Sequence, residues 1–229
     1  MIFSKFDFCC LFLNMGLVYL RELDADSKFA IWKIEETADE LLSFLQLSEV
    51  ELHTLQNLNK GKRTLHWLAT RVLLRQLLHT EEYIRCVPDS NGKPYLPDYS
   101  LQISLTHSFD YAGAMLSNKG VCGIDLELVK DKIERIKAKF LKPEELSFLP
   151  TKLNRIEQLY ACWCAKEAVY KLQGNKGTSF LNNMTILPFE YTPQGVMQVR
   201  LDAHGSSQVF DVYYERFNDY MLGYVVGAY

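Results

Sequence analysis

Two stretches of this chain repeat each other. Trp67-Leu-Ala69-Thr-Arg71-Val-Leu-Leu-Arg75 matches Trp163-Cys-Ala165-Lys-Glu167-Ala-Val-Tyr-Lys171 at an offset of 96. Glu51-Leu52-His-Thr-Leu55 matches Glu145-Leu146-Ser-Phe-Leu149 at an offset of 94. Two matches in nearly the same register predict a duplicated half of about 100 residues, rather than chance likeness between two amphipathic helices. Duplication in turn predicts that the helices bearing Arg71 and Glu167 face each other across a pseudo-two-fold axis. A cleft would then lie between them, with cations of one half opposing carboxylates of the other.

Periodicity fills in the rest. Residues 29–35 read as a strand, and apolar residues recur at helical intervals over 38–58 and 62–79. Ser90-Asn91-Gly92-Lys93-Pro94 is a turn signal, because Asn-Gly tolerates positive φ and Pro fixes the exit. Strand patterns cover 101–105, 111–117 and 121–128, helical patterns cover 131–148 and 154–173, and the tail from 184 to 229 alternates like strands. The fold class expected is α+β.

The strand Gly123-Ile124-Asp125-Leu126-Glu127-Leu128 puts Gly123, Asp125 and Glu127 on one face. Two carboxylates two residues apart repel, and glycine beside them removes bulk. Either a divalent cation sits between them, with a ligand approaching over Gly123, or this is the polar side of an edge strand.

Positions 156, 160, 163, 167 and 171 step by four, three, four and four, so Glu167 and Lys171 continue the stripe begun by Ile156, Tyr160 and Trp163. The apolar members need burial, so the charged pair is expected where that face opens into a cleft. A third carboxylate brought to Asp125 and Glu127 makes an oxygen-only site, which suits Mg²⁺. Lys171 then serves as a point charge for a phosphate. Lys93 after the turn and the hydroxyl-rich Ser104-Leu-Thr106-His107-Ser108 read as further anion contacts. Lys62 and Arg63 open a basic helix end that is either an anion contact or simply solvated.

Composition restricts the partners. The chain carries 25 Lys and Arg against 28 Asp and Glu, a net charge of -3, so general attraction to nucleic acid is not suggested. No run approaches the ~20 apolar residues of a membrane span. Six cysteines without metal-type spacing read as reduced thiols of a cytosolic protein. Residues 1–14 are treated as an N-terminal extension outside the functional argument. Residues 130–142 carry six Lys or Arg against two acids, with Ile133, Ile136 and Phe140 as an apolar stripe at helical spacing. Such a patch can steer and dock an acidic helix.

Gly-Ile-Asp-Leu-Glu at 123–127 and Trp-Cys-Ala-Lys-Glu-Ala-Val-Tyr-Lys at 163–171, with Glu167 following Asp125 by 42 positions, together resemble the signature of the 4′-phosphopantetheinyl transferases. Gly92-Lys93-Pro94 and Ser104–Ser108 resemble two further motifs of the surfactin-synthetase-activating branch. The motifs run in order from about residue 60 to 175. Thr106 stands where that branch more often has serine.

The resemblance implies a pseudodimer of two similar α/β halves, each a small antiparallel sheet packed with helices. It divides the chain into 15–118, contributing to coenzyme A binding, and 119–229, carrying the acids and the catalytic helix. It implies a monomer, whereas the shorter holo-acyl-carrier-protein synthases are trimers. The implied reaction moves 4′-phosphopantetheine from coenzyme A to a serine of an acyl or peptidyl carrier protein, releasing 3′,5′-ADP. Asp125, Glu127 and Glu167 would hold Mg²⁺. Lys171 would meet the pyrophosphate with Lys166 beside it. Lys93, Thr106, His107, Lys62 and Arg63 would grip the adenosine end. The base for the serine proton is left between Glu167 and Glu144. The carrier would dock at 130–142. Other readings are a different Mg²⁺-dependent phosphohydrolase or nucleotidyltransferase, or a non-catalytic protein binding carriers or coenzyme A.

Overall fold

A computed structural model describes residues 16–58, 61–203 and 205–227. The 1–14 extension, with Cys9 and Cys10, lies outside the described residues. The chain is a mixed α/β structure of antiparallel sheets packed with helices.

The N-terminal part runs β1 (Leu17–Glu22), β2 (Ser27–Lys33), α1 (Ala38–Ser43), α2 (Glu49–Asn57) and α3 (Lys62–Leu78). A short hairpin follows, β3 (Val87–Pro88) and β4 (Pro94–Tyr95), then β5 (Gln102–Ser108) and β6 (Tyr111–Ser117). The helix expected over 38–58 is broken in two. Ser48 is extended, at ψ 163°, and forms a capping box with Glu51, which starts a new helix there. The sheet has the order β1-β2-β6-β5. Leu68, Leu73 and Leu74 of α3 share its buried core with Ala30, Trp32, Ala112 and Ala114.

The C-terminal part runs β7 (Cys122–Leu128), α4 (Pro143–Ser147), α5 (Arg155–Gln173), β8 (Met184–Ile186), β9 (Gln194–Ala203), β10 (Ser206–Phe217) and β11 (Tyr220–Val226), in the sheet order β7-β11-β10-β9-β8. The helix expected over 131–148 does not form as one element. Two 3-10 turns, Asp131–Arg135 and Lys137–Lys139, precede α4. Pro143 bars Lys142 from helical backbone, and Lys142 is extended at ψ 160°. Ile133 and Phe140 are buried and Ile136 packs on the core, so the stripe expected to dock a partner is spent inside the protein.

The two sheets share a pattern. β2, β6 and β5 neighbour one another as β7, β11 and β10 do, and helices are inserted between the first and second strand of each trio. Phe29, Ile31 and Met115 from one sheet form a common core with Ile124, Leu126, Leu222 and Tyr224 from the other.

The edges also meet. Backbone N–H groups of Ile124, Leu126 and Leu128 on β7 donate to the hydroxyls of Ser104, Thr106 and Ser108 on β5, at 3.0, 3.0 and 3.2 Å. A ladder of side chains thus joins β5 to β7. On the other seam, Tyr19 and Arg21 of β1 reach Glu215 of β10 at 2.8 and 2.9 Å.

α5 lies directly on β7 and β11. A Cβ on Gly123 would stand 1.9 Å from the carbonyl oxygen of Ala168, and one on Gly223 would stand 2.9 Å from the Cys164 carbonyl carbon. Gly123 therefore admits a helix, and not the ligand that one of the two sequence readings placed over it. This close approach carries Glu167 and Lys171 to the acids of β7.

Candidate active site

Asp125 is 5% exposed and sits where β5, β7 and α5 converge. Its Oδ1 accepts from Lys171 Nζ at 2.7 Å and from Thr106 Oγ1 at 3.2 Å. Its Oδ2 is buried without a hydrogen-bond partner. Lys171 also donates to the Ile124 carbonyl at 2.9 Å. Glu127, two residues on, is half-buried and accepts from Ser108 Oγ at 3.2 Å. Burial pushes its pKa up, and the negative charge of Asp125 adds to the rise.

Glu167 completes the group from α5. Its pKa is raised from 4.5 to about 7, first by lost solvation, then by Asp125 and Glu127, with Lys171 opposing. Three carboxylates and one ammonium thus share one poorly solvated place. They are electrostatic neighbours but not a ready-made cage: among the described residues, no three His, Cys, Asp or Glu side chains are gathered closely enough to hold a metal as placed. Lys171 supplies the positive charge at Asp125. The donor set still fits a hard divalent cation, because it is all oxygen and Asp125 Oδ2 is buried without a partner.

The cation contacts expected from the sequence separate into three kinds. Lys93 crosses from the β3–β4 turn to donate to the Leu172 carbonyl at the end of α5, at 2.8 Å. Burial lowers its pKa. The stem of Lys93 lies against Gly174, whose φ of 71° and tight neighbour both suit glycine. A cleft of about 280 Å³ opens here, lined by Asn91, Gly92, Lys93, Ser104, Tyr170 and Lys171, and Lys176 borders it. Lys176 was not singled out in the sequence; a Lys following the helix-ending Gly174 was the available signal.

His107 is exposed and stacks on His66, centroids 4.3 Å apart and 11° from parallel. Its pKa is pushed down to about 4 by lost solvation, then by His66 and Lys171, with Asp125 opposing. Lys62 and Arg63 are exposed at the start of α3, and Lys62 pairs with Asp110 at 2.8 Å.

For four of the expected residues the structure shows a different setting from the one anticipated. Thr106 is buried, and its hydroxyl accepts from Leu126 N–H and donates to Asp125, so it supports the acid. Lys166 is 0% exposed. Its ammonium is ringed by Glu145 at 2.8 Å and the carbonyls of Phe140, Phe180 and Met184, at 2.7, 3.2 and 3.3 Å. No donor is left for a substrate.

Glu144 is exposed on α4, while its neighbour Glu145 turns inward to Lys166 and accepts from Ile186 N–H at 2.7 Å. Arg71 does not oppose Glu167. It folds over the Trp67 ring, 3.3 Å from the centroid, and faces Glu51 of its own half at 3.8 Å.

A larger recess of about 440 Å³, between Leu23, Lys119, Tyr213 and Tyr224, lies on the opposite seam and contains none of the expected site residues. Cys86, Cys122, Cys162 and Cys164 are free and buried, and burial raises the pKa of each thiol. No helix among the described residues is long and apolar enough to cross a membrane.

Residues 121–225 match the family model of the 4′-phosphopantetheinyl transferase superfamily, a span somewhat under half of the 229-residue chain. A Haemophilus influenzae protein provisionally named as a 4′-phosphopantetheinyl transferase is 30% identical over 134 residues, 54% of this chain and 53% of that protein. The 4′-phosphopantetheinyl transferase AcpT of Escherichia coli K12 is 29% identical over 120 residues, 50% of this chain and 60% of AcpT. AcpT of Salmonella typhi is 28% identical over 148 residues, 62% of this chain and 74% of that protein. The chain spans little more than half the length of the first of these relatives. The matched segment contains Asp125, Glu127, Glu167 and Lys171, the four charged groups that converge at the end of β5. Residues 121–225 are thus similar to the 4′-phosphopantetheinyl transferase superfamily in the segment that carries these four groups.

Proposed function

We propose that the protein transfers 4′-phosphopantetheine from coenzyme A to a serine hydroxyl of an acyl or peptidyl carrier protein, releasing 3′,5′-ADP. The observation that carries this reading is the meeting of Asp125, Glu127 and Glu167 with Lys171, beside a cleft lined from both halves of the chain. We propose further that the molecule is a monomeric, cytoplasmic pseudodimer of the surfactin-synthetase-activating type. The shared strand order and the paired Glu51–Arg71 and Glu145–Lys166 contacts support duplication.

Asp125, Glu127 and Glu167 would hold Mg²⁺, which when bound would offset charge on the pyrophosphate. Lys171 would give up its contact with Asp125 to neutralise a phosphate oxygen of coenzyme A. Lys93 and Lys176 border the cleft in which the nucleotide end would lie, and His107 and Lys62 would extend the anion contacts beyond it. Neutral His107 can donate one hydrogen bond to an anion without carrying charge into the site. Glu167, placed beside Asp125 and Lys171 in a poorly solvated setting, is the group we favour to take the serine proton over exposed Glu144. Phosphoryl transfer of this kind needs positioning and charge neutralisation more than covalent catalysis.

The test is to incubate the protein with coenzyme A, Mg²⁺ and several apo carrier proteins, and to measure intact carrier mass and 3′,5′-ADP. Phosphopantetheine added to a carrier, with 3′,5′-ADP formed only when carrier is present, supports the reading. Release of 3′,5′-ADP without carrier would indicate a hydrolase. Coenzyme A binding without turnover would indicate a non-catalytic protein.

A further inference from the structure

Phe109 occupies the turn between β5 and β6 with φ of 52°, left-handed backbone that a bulky aromatic rarely adopts and glycine adopts freely. It is nonetheless 38% exposed, so core packing does not explain the ring. The conformation is fixed from below: the Phe109 carbonyl accepts from Nε2 of buried His66 at 2.7 Å. Because a carbonyl can only accept, Nε2 carries the proton of that imidazole.

The ring is flanked by cations from both halves of the chain. Lys130 Nζ lies 3.9 Å from its centroid and Lys62 Nζ lies 5.1 Å away. Immediately before it, Ser108 donates to Glu127, so the ring stands beside the acid cluster. Beyond Lys130, the exposed cations Lys132, Arg135 and Lys139 continue the basic surface. Among the described residues that surface has charge but little apolar exposure of its own, since Ile133 and Phe140 are buried and Ile136 packs on the core. Phe109, 38% exposed and next to Lys130, offers an apolar group at its edge.

We propose that Phe109, braced by Lys62 and Lys130, is the anchor on which an acidic helix of the carrier protein docks. An apolar residue of that helix would cover the ring while its carboxylates meet Lys130 and Lys132. An aromatic bordered by cations is the kind of group that dominates binding at such interfaces, and the cations steer the encounter. Recognition of the carrier is then shared between the two halves, and the strained turn presents the ring. This inference rests on the transfer reaction proposed above.

The test measures KM separately for coenzyme A and for a bacterial apo acyl carrier protein, using the full chain and its Phe109→Gly and Phe109→Tyr variants. Phe109→Gly removes the ring while suiting the turn, so its thermal midpoint should match or exceed that of the parent. It should raise carrier KM by about tenfold or more, with kcat and coenzyme A KM each within about twofold. Phe109→Tyr should restore carrier KM. An unchanged carrier KM in Phe109→Gly, or a rise in coenzyme A KM in its place, overturns the docking role and leaves the transfer reaction standing. A parent protein inactive with every carrier overturns both.

Discussion

Lys171 Nζ lies 2.7 Å from Asp125 Oδ1, while the other oxygen of the same carboxylate is buried without a partner. One acid thus joins a lysine to a place where positive charge is still wanted. Asp125→Asn keeps the shape and removes the charge. It should lower transfer by at least about 10²-fold in a single-turnover carrier assay while the protein remains folded.

The hydroxyl of Thr106 binds both Asp125 and the Leu126 N–H. Thr106→Val preserves volume but strands a buried N–H, which costs about 1–3 kcal/mol. Denaturant unfolding should show that loss, and Thr106→Ser should recover most of it. Direct coenzyme A binding by Thr106 would instead raise coenzyme A KM with stability intact.

Glu167 titrates at about 7 in the folded chain against 4.5 as its ordinary value. The native state therefore binds this proton more tightly than the unfolded chain does. The stability it contributes is full below about pH 4.5 and is lost as pH rises to about 7. The loss is on the order of 2–3 kcal/mol, with partial exposure reducing it. Chelator-treated protein should become less stable over that window, and Glu167→Gln should flatten the slope. Burial of Glu127 acts in the same direction.

Lys166 and Glu145 form a buried pair with 0% and 1% exposed side chains. Lys166→Met leaves Glu145 uncompensated and should cost about 3–5 kcal/mol, whereas the double variant Lys166→Met, Glu145→Leu should recover part of that. Denaturation of the three variants checks this. A Lys166→Met protein of normal stability with impaired coenzyme A binding would restore the substrate role.

The acids of the candidate site were legible because two short-range rules apply to them. Alternation on a strand puts Asp125 and Glu127 together, and four-residue steps on a helix put Glu167 and Lys171 together. Lys166 escaped those rules. It is one residue and about 100° of helix from Glu167, so whether it faces substrate or core depends on where α4 and β8 pack. Ser104, Thr106 and Ser108 have the period of one strand face, but their partner is an edge of the other sheet, which local sequence does not reveal. The helix expected at 131–148 failed for a local reason that was visible: Pro143 dictates an extended Lys142. Arg71 has the register of Glu167 but finds Trp67 and Glu51 within its own half.

The convergence of Asp125, Glu127 and Glu167 is tested most directly by metal binding in the presence of coenzyme A, with Mn²⁺ as a spectroscopic substitute and water proton relaxation as the readout. One tight Mn²⁺ per chain, displaced by Mg²⁺ and lost in both Asp125→Asn and Glu167→Gln, is the predicted result. Unchanged Mn²⁺ stoichiometry and affinity in those two folded variants would contradict it.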